Sequence, residues 1–325
     1  MRRTAGLVRF LFLALGVLTP IGNASAQAYP IKPVRMILPF PPGAASDIVG
    51  RILGTRLGEQ MGQTFIPDNR VGAGGNVGLV AAAKALPDGY TVLVSSPAIA
   101  LAPLLYPDVQ FDAVRDFQPV ARVGTIENVM LVHPSVPAKT LKEFIELARK
   151  SPGRLSFGSG GAGTTNHLAN ELLMYTQKLS MLHVPYKGAA LATVALMSGE
   201  VDEVVIGVAP AMPMIKSGKV KPLVVLSEAR VPLLPDVPTS TEAGVPDLRM
   251  SIWYGIFVPI DTPKQITARL TRETLKGLES ADLRERMLTA GVTPWPGPPE
   301  ALTDLLRSET ARYRTAIQAA KIKLR

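Results

Sequence analysis

Two stretches of this chain, Pro39–Asp47 and Gly158–Thr165, are loops of small residues that follow a short apolar strand and open a helix. The first N–H groups of a helix have no intrahelical partner, and the aligned peptide dipoles favour negative charge there. Small residues before such an end let a ligand approach the backbone closely. Two such ends, far apart in the chain, call for separate lobes and predict an anion held between them.

The segments around both loops alternate strand and helix. Val34–Pro39 is apolar, and Ile48, Ile52, Leu53 and Leu57 share one helical face. Gly72-Ala73-Gly74-Gly75 leads into a helix over Asn76–Ala85, and Pro87-Asp88-Gly89 turns into strand Tyr90–Ser95. After a helix over Leu141–Lys150, with Thr140 and Glu143 as its capping box, a second series begins. It runs through Leu155–Phe157, Thr165–Gln177, Met181–Tyr186, Leu191–Met197, Val201–Ile206 and Lys221–Leu226. This alternation predicts an α/β fold of two lobes, each a mostly parallel sheet flanked by helices. Arg122–His133 and Met250–Val258 read as the crossings between them. Thr262 and Pro263 predict the N-cap and first residue of a helix over Lys264–Leu278. Helices near Asp282–Thr289 and Glu300–Ala320 are expected against the first sheet.

Residues 1–26 read as an export signal. Arg2, Arg3 and Arg9 precede and enter the apolar run Phe10–Leu18, and Ala24-Ser25-Ala26 supplies a cleavage site. The run is too short to span a bilayer, and no Cys offers a lipid anchor. The chain has no cysteine at all, which excludes disulfides, thiolate metal sites and a Cys nucleophile. Without the three leader arginines, 32 Lys and Arg face 26 Asp and Glu, a mildly basic balance that helps gather anions. The basic residues are scattered and aromatics make up 6% of the chain, so nucleic-acid binding is not expected.

Catalytic constellations are missing. His133, His167 and His183 have no metal-ligand spacing, no serine lies in a GxSxG elbow, and Ser217-Gly218-Lys219-Val220 fails the phosphate-loop pattern. Gly158–Gly163 satisfies GxGxxG, but the next strand ends His183-Val184-Pro185-Tyr186 without the acid that a dinucleotide ribose requires. No cofactor, metal or catalytic residue is therefore expected. His167, in a first helical turn, is expected to be a neutral hydrogen-bonding group. Ser46 or Asp47 is expected to cap the first helix, and Thr164 and Thr165 the helix after the second loop. Tyr186 is expected to wall the cleft, and Lys187 to meet a second carboxylate.

Several stretches resemble the substrate-binding proteins of tripartite tricarboxylate transporters, the Bug receptors. They include Tyr29-Pro30-Ile31-Lys32-Pro33, Pro39–Gly43 with Asp47, Asn69–Gly75, Pro87–Thr91 and Phe157–Thr164 with His167-Leu168-Ala169. His183–Gly188, Leu234–Thr239, Glu242-Ala243-Gly244 and Trp253-Tyr254-Gly255 continue the match in order. The resemblance implies a two-lobed periplasmic-binding-protein fold (type II, Venus flytrap) that closes on a small mono- or dicarboxylate. Lobe one is expected over 27–125 and 250–325, and lobe two over 126–249. The protein is expected to be a monomer that serves membrane permease subunits. The same likeness assigns ligand contacts to Phe40, Pro42, Gly43, Ala44, Asp47, Ser95, Ser96, Gly160, Ala162, Thr164, Thr165 and Tyr186. Gly43 is followed by Ala44 where the family usually has a second glycine, and its methyl is expected to narrow the carboxylate site or shift a bridging water. A secreted enzyme acting on the same ligand class, and a sensory receptor that presents it, are the alternative readings.

Overall fold

The computed structural model describes residues 29–106 and 108–320, with side chains to Gln318. The export signal assigned to residues 1–26 lies outside the described residues.

Strand β1 (Val34–Leu38) leads through the first glycine-rich loop into α1 (Ala45–Met61). Then follow β2 (Phe65–Asn69), a single 3-10 turn, α2 (Asn76–Ala83), β3 (Thr91–Ser95), α3 (Ala98–Leu105) and β4 (Phe117–Ile126). One residue later, β5 (Asn128–Val132) already belongs to a different sheet. The second series is α4 (Leu141–Lys150), β6 (Ser156–Ser159), α5 (Thr165–Gln177), β7 (Leu182–Pro185), α6 (Ala189–Ser198), β8 (Glu203–Gly207), α7 (Val208–Lys216) and β9 (Lys221–Val225). The chain returns through β10 (Ile252–Pro259) to the first sheet and finishes with α8 (Lys264–Glu279), α9 (Ala281–Thr289), β11 (Thr293–Gly297) and α10 (Pro299–Ala320).

The first sheet has the order β11-β4-β10-β3-β1-β2 and the second β7-β6-β8-β5-β9. Both are mixed rather than mostly parallel. β1 pairs in parallel with β2 and β3, and β6 with β7 and β8. β10 and β4 run antiparallel in the first sheet, as do β5 and β9 in the second. The reason is connectivity: a strand that crosses over from the other sheet enters at the end where β3 or β8 leaves, so it runs back along it. The run β2-β1-β3-β10-β4 thus matches β7-β6-β8-β5-β9 strand for strand, a topological repeat without a sequence repeat.

The central strands are apolar on both faces because helices cover both. α1, α8 and α9 cover one face of the first sheet around Val34, Met36, Leu38, Val92 and Tyr254. α6 and α7 cover the outer face of the second around Val129, Leu131 and Val204. The remaining faces share one core that joins Ile37 and Leu93 to Met130, Phe157 and Val205 through α3, α5 and α10. α10 packs on β4 and α3 and also reaches α5 of the second series.

Thr140 Oγ1 accepts from the Glu143 N–H at 3.1 Å, and Glu143 Oε2 from the Lys139 N–H at 2.7 Å, so α4 is capped reciprocally. At α8 the cap is Pro263, not Thr262. The Thr262 hydroxyl turns back to the Pro259 carbonyl at 2.7 Å and is unavailable to the helix.

Candidate functional site

Apart from Asp47, in the first turn of α1, the residues assigned to the ligand from sequence lie at or just beyond the C-terminal end of β1, β3, β6 or β7, the end at which open α/β sheets bind ligands. The first loop turns at Gly43, where φ is +84°, a conformation that costs little only without a Cβ. The Ala44 N–H closes this turn on the Pro41 carbonyl at 3.1 Å.

Asp47 organises the loop from inside α1. Its carboxylate accepts from the Gly43 N–H at 2.9 Å, from Arg51 Nε at 2.9 and 3.0 Å, and from Asn69 Nδ2 at 2.9 Å. Asn69 Nδ2 also donates to the Phe40 carbonyl at 2.9 Å, tying both ends of the loop to one carboxylate. Burial alone would raise this acid, but the hydrogen bonds from Arg51, Gly43 and Asn69 outweigh it and hold the carboxyl below its ordinary value. Asp47 is therefore not the helix cap. That position is Ala44, which has no side chain to cap with, and Ser46 does not cap either: its hydroxyl is buried and has no partner among the described residues. Ala44 adopts ordinary extended backbone (φ −68°, ψ 156°), which its methyl accepts without strain.

The second loop is fixed by its own sheet almost atom by atom. The Gly160 carbonyl accepts from the Gly188 N–H at 3.2 Å, and the Gly161 carbonyl from Thr164 Oγ1 at 2.7 Å. The Gly161 N–H donates to Ser159 Oγ at 3.1 Å, and the Gly163 N–H to His167 Nδ1 at 3.2 Å. His167 thus takes part in hydrogen bonding, accepting the Gly163 N–H through Nδ1. Thr164 is the N-cap residue by backbone, yet its hydroxyl goes to Gly161 and to Asn166 Oδ1, not to the helix amides. Thr165 follows as the first helical residue. The Ala162 N–H makes no hydrogen bond among the described residues. Among the described residues no side chain accepts from the first amides of α1, nor from those of Thr165 and Asn166 in α5, whereas the His167 N–H donates to Asn166 Oδ1 at 3.1 Å.

Beneath the second loop lies a stack that the sequence did not announce. Phe157 stacks on His183 at 4.8 Å between ring centres, and His183 on His167 at 4.2 Å. Ser159 Oγ lies 2.7 Å from His183 Nε2. Burial, then the neighbouring His167, lowers the His183 pKa to about 4, with Glu171 opposing weakly. His183 is accordingly neutral at pH 7 and shares a hydrogen bond with the Ser159 hydroxyl, which also accepts from the Gly161 N–H. The pair resembles a nucleophile and its base, but Ser159 is fully buried and spent on the loop.

Ser95 and Ser96 are buried at the end of β3. Tyr186 lies beside the second loop, but its hydroxyl donates to Glu200 Oε1 at 2.8 Å. Lys187 is exposed and makes no ion pair among the described residues. The two loops meet through a third, Gly72–Gly75. A Cβ on Gly75 would stand 3.3 Å from the Phe40 ring, and one on Gly74 3.3 Å from the Ala162 carbonyl. Among the described residues no group of three His, Asp or Glu side chains could hold a metal, and no helix is long and apolar enough to cross a membrane.

Residues 49–322 match the family described as "Tripartite tricarboxylate transporter family receptor". The chain belongs to that family. It is 31% identical to Protein BugT of Bordetella pertussis over 327 residues, covering 100% of this chain and 99% of that one. Its fold matches R. palustris Rpa4515, solved with adipate, at a TM-score of 0.84, with 31% identity over 91% of this chain and 99% of that one. It matches MatC of Rhodopseudomonas palustris, solved with bound malate, at a TM-score of 0.82, with 31% identity over 89% of this chain and all of that one. This receptor-family fold is the two-lobed binding-protein architecture expected from the resemblance.

If Thr164 holds the loop through Gly161, Thr164→Val weakens ligand binding by about 0.5–1.5 kcal/mol, the range for one lost neutral hydrogen bond. Thr164→Ser restores it, which isothermal titration of both variants checks. An affinity unchanged in the valine variant assigns Thr164 to backbone geometry alone.

Proposed function

We propose that this family member is a periplasmic receptor that takes up a small mono- or dicarboxylate between its two glycine-rich loops and delivers it to the permease subunits of a tripartite tricarboxylate transporter. Lobe one comprises 27–125 and 250–325, lobe two 126–249, and the chain acts as a non-enzymatic monomer after export. The observation that carries this reading is the pair of helix starts whose N-cap residues, Ala44 for α1 and Thr164 for α5, put no side chain on the first amides, beside the Ala162 amide that makes no hydrogen bond among the described residues. A carboxylate satisfies such donors and gains from the dipoles of both helices. Relatives that share the fold and hold malate or adipate support the ligand class.

In the bound state the loop residues Phe40, Pro42, Gly43, Ala44, Gly160, Ala162, Thr164 and Thr165 surround the acid group. Ser95, Ser96 and the Tyr186 ring flank it, Lys187 offers charge for a second acid group, and Asp47 acts by holding its loop. An enzymatic reading would need a reactive group beside the ligand, and Ser159 with His183 is committed to structure.

The test is a thermal-shift panel of malate, adipate, succinate and short monocarboxylates against their amides. At a hundred times its dissociation constant a true ligand adds about 2.7 kcal/mol. Acids are expected to stabilise the protein and amides not. Equal responses from an acid and its amide overturn the carboxylate reading.

A further inference from the structure

The second glycine-rich loop is pinned by its own lobe at Gly160, Gly161 and Gly163. One carbonyl, that of Ala162, is held from the other lobe. Tyr106, the residue that ends α3, donates its hydroxyl to that carbonyl at 3.0 Å. We propose that Tyr106 is a clasp between the lobes: by holding Ala162 from lobe one, it keeps the ligand loop of lobe two closed and its free amide in place. The part of this proposal that concerns ligand retention rests on the receptor reading above.

Three features of the surroundings support a clasp over incidental packing. The slot for the tyrosine is made by glycines of opposite lobes. A Cβ on Gly74 would stand 2.8 Å from the Tyr106 hydroxyl oxygen, and one on Gly163 3.2 Å from it. Both glycines take the left-handed backbone, φ +63° and +82°, so neither position readily accepts the methyl that would fill the slot. Half-burial raises the Tyr106 phenol above its ordinary value, so the hydroxyl keeps the proton it donates. Finally, the Ala162 N–H, directly beside the clasped carbonyl, makes no hydrogen bond among the described residues. Releasing Tyr106 therefore frees the backbone that presents that amide.

Such a contact acts with or without ligand. It shifts the balance between open and closed forms toward closed and slows escape of a bound acid, while leaving entry from the open form unchanged. Tyr106→Phe removes the hydroxyl and keeps the ring, so packing in the slot survives. Small-angle scattering of the ligand-free protein should then show a larger radius of gyration for the variant than for wild type. Stopped-flow dissociation, with malate and adipate as the probes, should accelerate about three- to tenfold, the range for one neutral hydrogen bond. Association should stay within about twofold. A thermal melt confirms that the variant is folded.

The scattering result decides the clasp whether or not either acid binds. Identical scattering curves for wild type and variant overturn the clasp. Unchanged dissociation of a probe that does bind overturns its role in retention. If neither acid binds wild type, the receptor reading fails for these two ligands, while an expanded variant still supports the clasp.

Discussion

Asp47→Ala is expected to destabilise the protein by about 2–4 kcal/mol and to weaken ligand binding at least about tenfold. One buried carboxylate serves the Gly43 amide, the Arg51 guanidinium and the Asn69 amide together. Its loss leaves the Gly43 N–H and one Asn69 donor without their acceptor, and Asn69 then holds the Phe40 carbonyl with only the Arg51 contact to its Oδ1 as anchor. Arg51 is about half exposed, so water recovers much of its solvation and the cost stays below that of breaking a fully buried pair. Arg51→Ala should accordingly cost only about 1 kcal/mol. Binding falls with stability because a slack loop must be ordered again at the expense of affinity. Denaturant melts and calorimetric titration separate the possibilities. If Asp47→Ala loses binding while its melt matches wild type, Asp47 touches the ligand and the organiser role is wrong. The same carboxylate predicts acid sensitivity. Its folded pKa is depressed, so its contribution is present above the unfolded value near 3.9 and disappears as pH falls through the folded one.

Local signals were legible in the sequence wherever a few neighbouring residues decide the structure. Thr140 with Glu143 marked the start of α4, and the bounds of α5 followed from the glycine loop before it and the end of its apolar face. The i, i+4 pair of Asp47 and Arg51 was also within reach, and it would have warned that Asp47 was engaged. α3 gave no such signal, since Ala98–Leu105 is apolar all round, contains Pro103, and so shows no amphipathic period. β11 was hidden by the two prolines of Thr293–Gly297, which an edge strand tolerates. The antiparallel strands could not be foreseen because β10 pairs with β3 and β5 with β8 only after the chain has crossed between sheets. The site divided in the same way. Its loops carried their own small-residue signature, whereas Tyr106, Asn69 and His183 reach it from other elements, so no spacing pattern links them to it.

The stacked histidines set a second acid window, above that of Asp47. His183 has a folded pKa of about 4 against an ordinary 6.5, because burial and the adjacent His167 disfavour its charge. Below pH 6.5 the unfolded chain takes up a proton that the folded chain refuses, so stability falls as pH drops from about 6.5 to about 4 and then levels off for this group. Each pH unit in that window costs up to about 1.4 kcal/mol, so the full drop approaches about 3 kcal/mol. The groups around the ring explain why it resists charging. Phe157 and His167 both stack against it, its Nε2 is hydrogen-bonded to the Ser159 hydroxyl, and Glu171, beside His167, gives only weak compensation. The hydrogen bond from the ring to Ser159 lies beneath the loop that Ser159 supports through Gly161. Melting temperatures at intervals from pH 7.5 to 4.5 should therefore fall steadily in wild type. His183→Asn, uncharged throughout, should start lower at pH 7.5 and lose much less across the same range. Parallel profiles for the two proteins would assign the acid sensitivity to other groups and leave His183 a packing residue only.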